Sequence, residues 1–194
     1  MKHKFIYLLI SLLLLFSVRS EACVGRILSI GIVDSVNENL LAELISVLIN
    51  ERTGTTVNIK VFDDFAEIYD AVKKEEIGVV IENTDHAMSM LNMPKNEDEK
   101  KDYDILKAEF KDKLSLTMLK PFGFISGKEG EGENYYSAVV TEDVLINFPA
   151  LPRVINKLKN IAADKRFNKV LTSVRTGKKG KRAARDFLKK KKLI

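Results

Sequence analysis

Between Ile27 and Ile81, short β-branched runs alternate with helix-length segments, and this alternation restricts the chain more than any other feature. Ile27 to Val33 reads Ile-Leu-Ser-Ile-Gly-Ile-Val, short and almost continuously apolar, the pattern of a strand buried on both faces. Asp34-Ser35-Val36-Asn37 breaks it with turn and N-cap residue types. Leu40, Leu41, Leu44, Ile45, Leu48 and Ile49 follow at helical spacing, and Gly54 ends that helix. Val57, Ile59 and Val61 alternate as a second strand. Phe65 to Lys74 predicts a second helix, with Phe65, Ile68, Tyr69 and Val72 on one side, and Ile77 to Ile81 a third buried strand. Strand, helix, strand, helix, strand at these lengths requires right-handed crossovers and a parallel sheet. The expectation is an α/β fold with a doubly wound, mostly parallel sheet. Ligands in such sheets bind beyond the carboxyl ends of the strands, here Asp34 to Glu38, Phe62 to Phe65, and Glu82 to His86.

Downstream, residues 94–102 are charged and loop-like, Tyr103 to Leu114 reads as a helix and Leu116 to Leu119 as a strand. Pro121-Phe122-Gly123-Phe124 turns the chain. Gly127 to Asn134 has loop composition, and Tyr135 to Val140 is a further strand. Glu142 to Phe148, Arg153 to Ala163, Lys165 to Val174 and Arg182 to Lys192 read as helices.

Lys2 and Lys4, the apolar run Phe5 to Phe16, and the small, polar stretch from Ser17 to Cys23 have the order of a secretory signal. The run is about 12 residues, against the ~20 a membrane span needs. Residues 1–22 are therefore expected to be a signal peptide and the protein to be exported, periplasmic or anchored on the extracytoplasmic side. Cleavage after Ala22 would put Cys23, the only cysteine, at the new N-terminus. That is the lipidation position of a lipoprotein; an ordinary cleavage site is the alternative. Either way no internal disulfide forms. Charge is uneven. Residues 175–194 carry ten Lys or Arg and one acid, Asp186, so the rest of the exported chain is net negative. Three segments follow: 1–22, a domain over 23–174, and a basic helical tail over 175–194.

The residue pattern supplies no catalytic set. His86 is the only histidine beyond the leader, and no His, Cys and carboxylate spacing suits a metal. Gly127, Gly130 and Gly132 do not lead from a strand into a helix, so they lack the context of a phosphate loop. No cofactor is expected. A small hydrolase would need clustered, perturbed carboxylates, for which Asp34, Glu38, Glu82 and Asp85 at strand ends are the only material. The tail is read as a solvated helix face, or as attracted to anionic lipid head groups. Nucleic acid is not expected as a partner.

The order of short motifs resembles the solute-binding proteins of glycine betaine, choline and related osmoprotectant ABC transporters. The carrying residues are Ile30-Gly31, Asn37-Glu38-Asn39, Leu41-Ala42-Glu43-Leu44, Glu51-Arg52-Thr53-Gly54, Tyr69-Asp70-Ala71-Val72, Ile77-Gly78-Val79 and Glu82-Asn83-Thr84. Leu119-Lys120-Pro121-Phe122-Gly123-Phe124, Phe148-Pro149-Ala150-Leu151, Val154 to Leu158, and Ala183 to Leu188 continue it. The resemblance implies a type 2 periplasmic-binding-protein fold, a non-enzymatic role, a quaternary-ammonium solute and an ABC permease as partner. It implies a site of Asn37, Glu38, Phe62, Phe65, Glu82, Asn83 and Thr84. In it, Glu38 and Glu82 counter the cation and Asn37, Asn83 and Thr84 hydrogen-bond; Phe62 and Phe65 are the candidate cation–π faces near the strand ends, with a place in the core as the alternative for both. Two departures stand out. The family's second lobe is missing, or reduced to residues 125–141, read as lobe remnant or loop. The chain also has no Trp, and Asn83 stands where an aromatic residue is common. A homodimer could rebuild a cleft. The alternative is a diverged one-lobe envelope protein that binds a protein partner without transporting a ligand.

Overall fold

The structure, a computed structural model, describes residues 27–126 and 133–194. The expected signal peptide, Cys23 and the glycines at 127, 130 and 132 lie outside the described residues. Strands β1 (Leu28–Val33), β2 (Val57–Phe62) and β3 (Val79–Asn83) form the parallel half of one sheet, with β1 between the other two. Strand β6 (Glu133–Thr141) pairs antiparallel with β3, from Val79 opposite Val140 to Asn83 opposite Tyr136. Along the other edge of β6 lie β4 (Leu116–Met118) and β5 (Gly123–Ser126), both antiparallel to it. Among the described strands only β6 therefore runs against the rest. Residues 125–141, read from sequence as loop or lobe remnant, supply the end of β5 and all of β6, which are hydrogen-bonded members of this sheet.

The sheet separates two cores. Leu28, Ile30 and Ile32 face one side with Val79, Ile81, Ala138 and Val140. Helix α1 (Val36–Thr53) covers that side. On the other side Val80, Val139, Leu116 and Met118 pack under α2 (Phe65–Lys73), α3 (Thr84–Met90) and α4 (Glu99–Leu114). Gly31 permits the close approach of α2, since a Cβ there would meet Ile68 Cγ2 at 3.0 Å and Ile77 Cγ2 at 3.1 Å. Gly54 caps α1 in the left-handed region (φ 72°), where its amide donates to the Asn50 carbonyl.

Helix α1 is apolar nearly all round. Leu40, Leu41, Leu44, Ile45, Leu48 and Ile49 are all fully buried, so its outer side needs a cover as much as its sheet side does. The C-terminal elements provide it. Helices α5 (Glu142–Asn147) and α6 (Leu151–Ile155), two short 3₁₀ turns at Asn156–Leu158 and Ile161–Ala163, and α7 (Lys165–Arg175) lead to α8 (Gly180–Lys190). The helix expected over 153–163 is interrupted because Asn160 takes a left-handed conformation (φ 54°) between the two turns. The basic segment is no free tail. Ala183, Ala184, Phe187 and Leu188 on α8 are buried in the same core as α1. Its lysines and arginines occupy the opposite, exposed side. Phe187 meets Phe167 edge to face, with centroids 6.2 Å apart. Arg185 pairs with Glu51 at 2.7 Å, and Lys191 with Asp164, the N-cap of α7, at 2.7 Å.

Phe187→Ala should therefore destabilise the protein by about 3–5 kcal/mol, the usual loss for a buried phenylalanine. Urea unfolding of the two proteins checks this, and an unchanged midpoint would mean that α8 does not belong to the cooperative unit.

Candidate functional site

In an open α/β sheet, a crevice forms where consecutive crossovers leave one strand on opposite faces. Here that point lies between β1 and β3, with α1 on one face and α2 and α3 on the other. The first turn of α1 brings Glu38 to it, and the end of β3 brings Glu82.

Ser35 caps α1 through its hydroxyl, which accepts from the Glu38 amide at 3.1 Å. Glu38 folds back, and its Oε2 accepts from the Val33 amide at 2.8 Å. This is the reciprocal logic of a capping box, displaced to the last residue of β1. Asn83 caps α3 in the same way, its Oδ1 accepting from the His86 amide at 2.9 Å. Thr84 Oγ1 donates to Glu99 Oε2 at 3.1 Å. Asn37 donates to the Ser126 carbonyl at 3.1 Å and accepts from Arg175 Nη2 at 3.2 Å; Arg175 also donates to that carbonyl. These contacts tie the tips of β1, β5 and α7 together.

Glu82 is wholly buried, and its partners surround it. Oε1 accepts from the Asn83 amide at 2.8 Å and Oε2 from the Tyr69 hydroxyl at 2.7 Å, while His86 Nδ1 sits 3.1 Å from both oxygens. Phe65 lies flat on His86, with centroids 3.8 Å apart and planes 14° apart. Tyr69 is roughly parallel to His86 at 6.5 Å. Phe62, at the end of β2, is half-buried and packs against the second core.

The expected site residues thus divide. Glu38, Glu82 and Asn83 meet at the crevice, all buried and bonded to their own chain. Asn37 and Thr84 are also buried, and each ties a strand end to a distant element. Phe65 alone reaches an open hollow. It lies between α2 and α3, measures about 330 Å³, and is lined by Phe65, Tyr69, Asp70, Lys73, His86 and Met90 among others. Tyr69, His86 and Arg175 were not singled out from sequence as site residues. The spacing of four between Phe65 and Tyr69 puts that pair on one side of a helix, but Glu82 ends a strand and His86 lies in the helix after it, and nothing local says that these residues meet.

Burial drives the electrostatics. Desolvation pushes the Glu38 carboxyl up to about 8 and the Glu82 charge adds to the rise, while the Val33 amide opposes it. Burial thus favours the neutral form of Glu38 in the ligand-free chain. Burial, then the charge and hydrogen bond of Glu82, hold the Tyr69 phenol well above its ordinary value, so Tyr69 remains a donor. Among the described residues no group of three His, Cys, Asp or Glu is arranged to hold a metal, and no helix is long and apolar enough to cross a membrane.

No protein-family model matches the sequence, and neither does any curated protein. Solved structures do match. One is described as a glycine betaine/carnitine/choline ABC transporter, with a TM-score of 0.75 at 13% identity over 86% of this chain and 99% of that one. Another is apo YehZ from Escherichia coli, with a TM-score of 0.71 at 13% identity over 87% of this chain and 100% of that one. The chain shares their fold. With one reversed strand in an otherwise same-direction sheet and helices on both sides, it is similar to a single periplasmic-binding-protein lobe.

The raised Glu38 pKa has a measurable consequence. The unfolded chain loses the Glu38 proton near 4.5, whereas the folded chain keeps it to about 8. The proton-bound form is thus favoured by folding, and its contribution is complete below 4.5 and lost as pH rises through 8. Stability should fall between pH 5 and pH 9, and Glu38→Gln should flatten that dependence by an amount on the order of a few kcal/mol. Urea midpoints of both proteins across this range check it, and parallel curves would contradict the assignment.

Proposed function

We propose that this chain is the extracytoplasmic solute-binding component of an ABC importer and takes a small quaternary-ammonium solute such as choline or glycine betaine. In this reading it is not an enzyme, and its partners are the solute and an inner-membrane permease. The observation that carries the reading is the hollow between α2 and α3, on a fold shared with a glycine betaine/carnitine/choline ABC transporter structure. Its wall is built of Phe65, Tyr69 and His86, with Glu82 bonded behind Tyr69 and His86. Aromatic faces attract a cation with about 0.5–2 kcal/mol each, more as water is excluded. A carboxylate held behind them adds attraction that a neutral wall lacks. Glu82, Phe65, Tyr69 and His86 would form the solute site. Glu38, Asn83 and Thr84 would hold the strand tips that carry it, and Asn37 would tie the β5 end beside them. Phe62 would support the hollow from the core.

One open lobe buries less of a ligand than a closed cleft, so the affinity expected of a monomer is modest. Pairing of two copies would enclose the solute further. The second reading, a one-lobe envelope protein that binds a protein partner, draws on the way Asn37, Ser126 and Arg175 bond to one another at the β1 and β5 tips instead of lining an opening.

Isothermal titration of the exported chain with choline, glycine betaine and carnitine separates the two. At least one should bind at millimolar concentration or below. Phe65→Ala should weaken it roughly fivefold, and Glu82→Gln more. No heat from any of the three would remove the solute-binding reading and favour the protein-partner one.

A further inference from the structure

A second and larger concavity, about 610 Å³, lies at the other edge of the sheet. One wall is α4, which contributes Lys100, Tyr103, Asp104 and Lys107. The floor is the passage from β4 to β5, with Lys120, Pro121, Gly123 and Phe124, and Tyr135 of β6 beside it. The far wall is the link between the two 3₁₀ turns, with Lys159, Asn160 and Ala163.

These walls are held by backbone-directed bonds. Tyr103 donates to the Leu119 carbonyl at 2.7 Å and anchors α4. The Asn160 amide donates to the Pro121 carbonyl at 2.9 Å, the Ala162 amide to Phe122 at 3.0 Å, and the Lys120 amide to Asn156 Oδ1 at 2.9 Å. The cleft is therefore a built feature, and its volume falls within the range of small-molecule sites, roughly 300–1,000 Å³.

Its lining is unlike the rest of the domain. Outside residues 175–194 the exported chain is net negative, yet four lysines from three separate segments converge here against one carboxylate, Asp104. Among the described residues none of the four lies within ion-pair distance of an acid, which they share with most of the described lysines; what sets them apart is that they line one concavity. Like charges gathered round a concave surface repel one another and are relieved by an anion. The second element is aromatic. Phe124 is 38% exposed, the one aromatic among the exposed large apolar side chains of the described residues, and rests on Tyr135 with centroids 4.6 Å apart. Tyr135 in turn meets Tyr103 edge to face at 5.9 Å. Phe124 thus offers a supported apolar surface beside point charges that suit phosphate or carboxylate oxygens.

We propose that this cleft is a second ligand site, for a small organic polyanion that carries a flat ring. The lysines neutralise its phosphates or carboxylates, and the ring lies against Phe124. The site is separate from the hollow at Phe65 and opposite to it in charge preference, so it stands or falls independently of choline binding.

Isothermal titration of the exported chain in 50 mM salt tests it, with ATP and benzene-1,3,5-tricarboxylate as ring-bearing phosphate and carboxylate probes, and tripolyphosphate and citrate as ringless ones. At least one ring-bearing probe should bind, and more tightly than its ringless counterpart. Which one binds names the anion chemistry. The double variant K107Q/K159Q should weaken it about tenfold. F124A should weaken the ring-bearing probe several-fold and leave the ringless one unchanged, and K189Q/K190Q on α8 should have less than a twofold effect. The proposal is overturned if neither ring-bearing probe binds at millimolar concentration. It is equally overturned if K189Q/K190Q has the larger effect, because the probe would then be responding to the basic helix.

Discussion

The arrangement rests on the position of β1. It is hydrogen-bonded in parallel to β2 on one side and β3 on the other, so it has no free edge and both its faces are covered. The crossover that leaves it for β2 must lie on one face, and the crossover that returns to β3 on the other. The crevice between β1 and β3 follows from that handedness alone. Around it the buried polar side chains are Asn37 and Glu38 at the start of α1, Glu82 and Asn83 at the end of β3, and Thr84 at the start of α3.

Those side chains are polar, and their use is divided. Backbone amides at a strand end and at a helix N-terminus need acceptors once water is excluded. Ser35, Glu38 and Asn83 meet that need. A carboxyl used in this way beside a second carboxylate is driven towards its neutral form, which is what burial and Glu82 do to Glu38. Glu82 is wholly enclosed, but its enclosure is made of an amide, a phenol and an imidazole, all able to donate to it. The aromatic members of that shell also line an opening. The same residues therefore stabilise the strand tip and present an electron-rich wall. At the far edge of the sheet the opposite solution occurs, with cations left unpaired around an aromatic floor. The two concavities differ in lining: Tyr69 and His86 in one are bonded to the buried Glu82, whereas four lysines line the other.

The regular part of the fold was legible because its signals are local. Ile27 to Ile81 carries a near-continuous strand pattern, helical spacing and a glycine stop, each within a window of a few residues, and the structure has β1, α1, β2, α2 and β3 there. Elsewhere the signals are too short or too distant. Helix α3 is only seven residues long, and the Asn83 cap that starts it reads equally well as a turn. Helix α4 begins at Glu99, inside a stretch of charges that looks like loop, because Asp98 caps it. The break at Asn160 depends on the neighbouring β4–β5 passage, whose carbonyls the broken segment bonds. His86 appeared isolated because its partners, Phe65 and Tyr69, lie on another helix.

By itself the sequence determined the α/β class, the parallel core and the residues at the strand tips, since strand and helix periodicities and cap residues act over one or two turns of chain. Tertiary structure decided what those tip residues do. Whether a buried glutamate meets a ligand or an amide, whether a lysine-rich end is a tail or a lid over α1, and which lysines share a cleft all depend on contacts between segments far apart in sequence. Desolvation and Coulomb interactions depend on distance in space, and the chain's own order does not encode that distance locally.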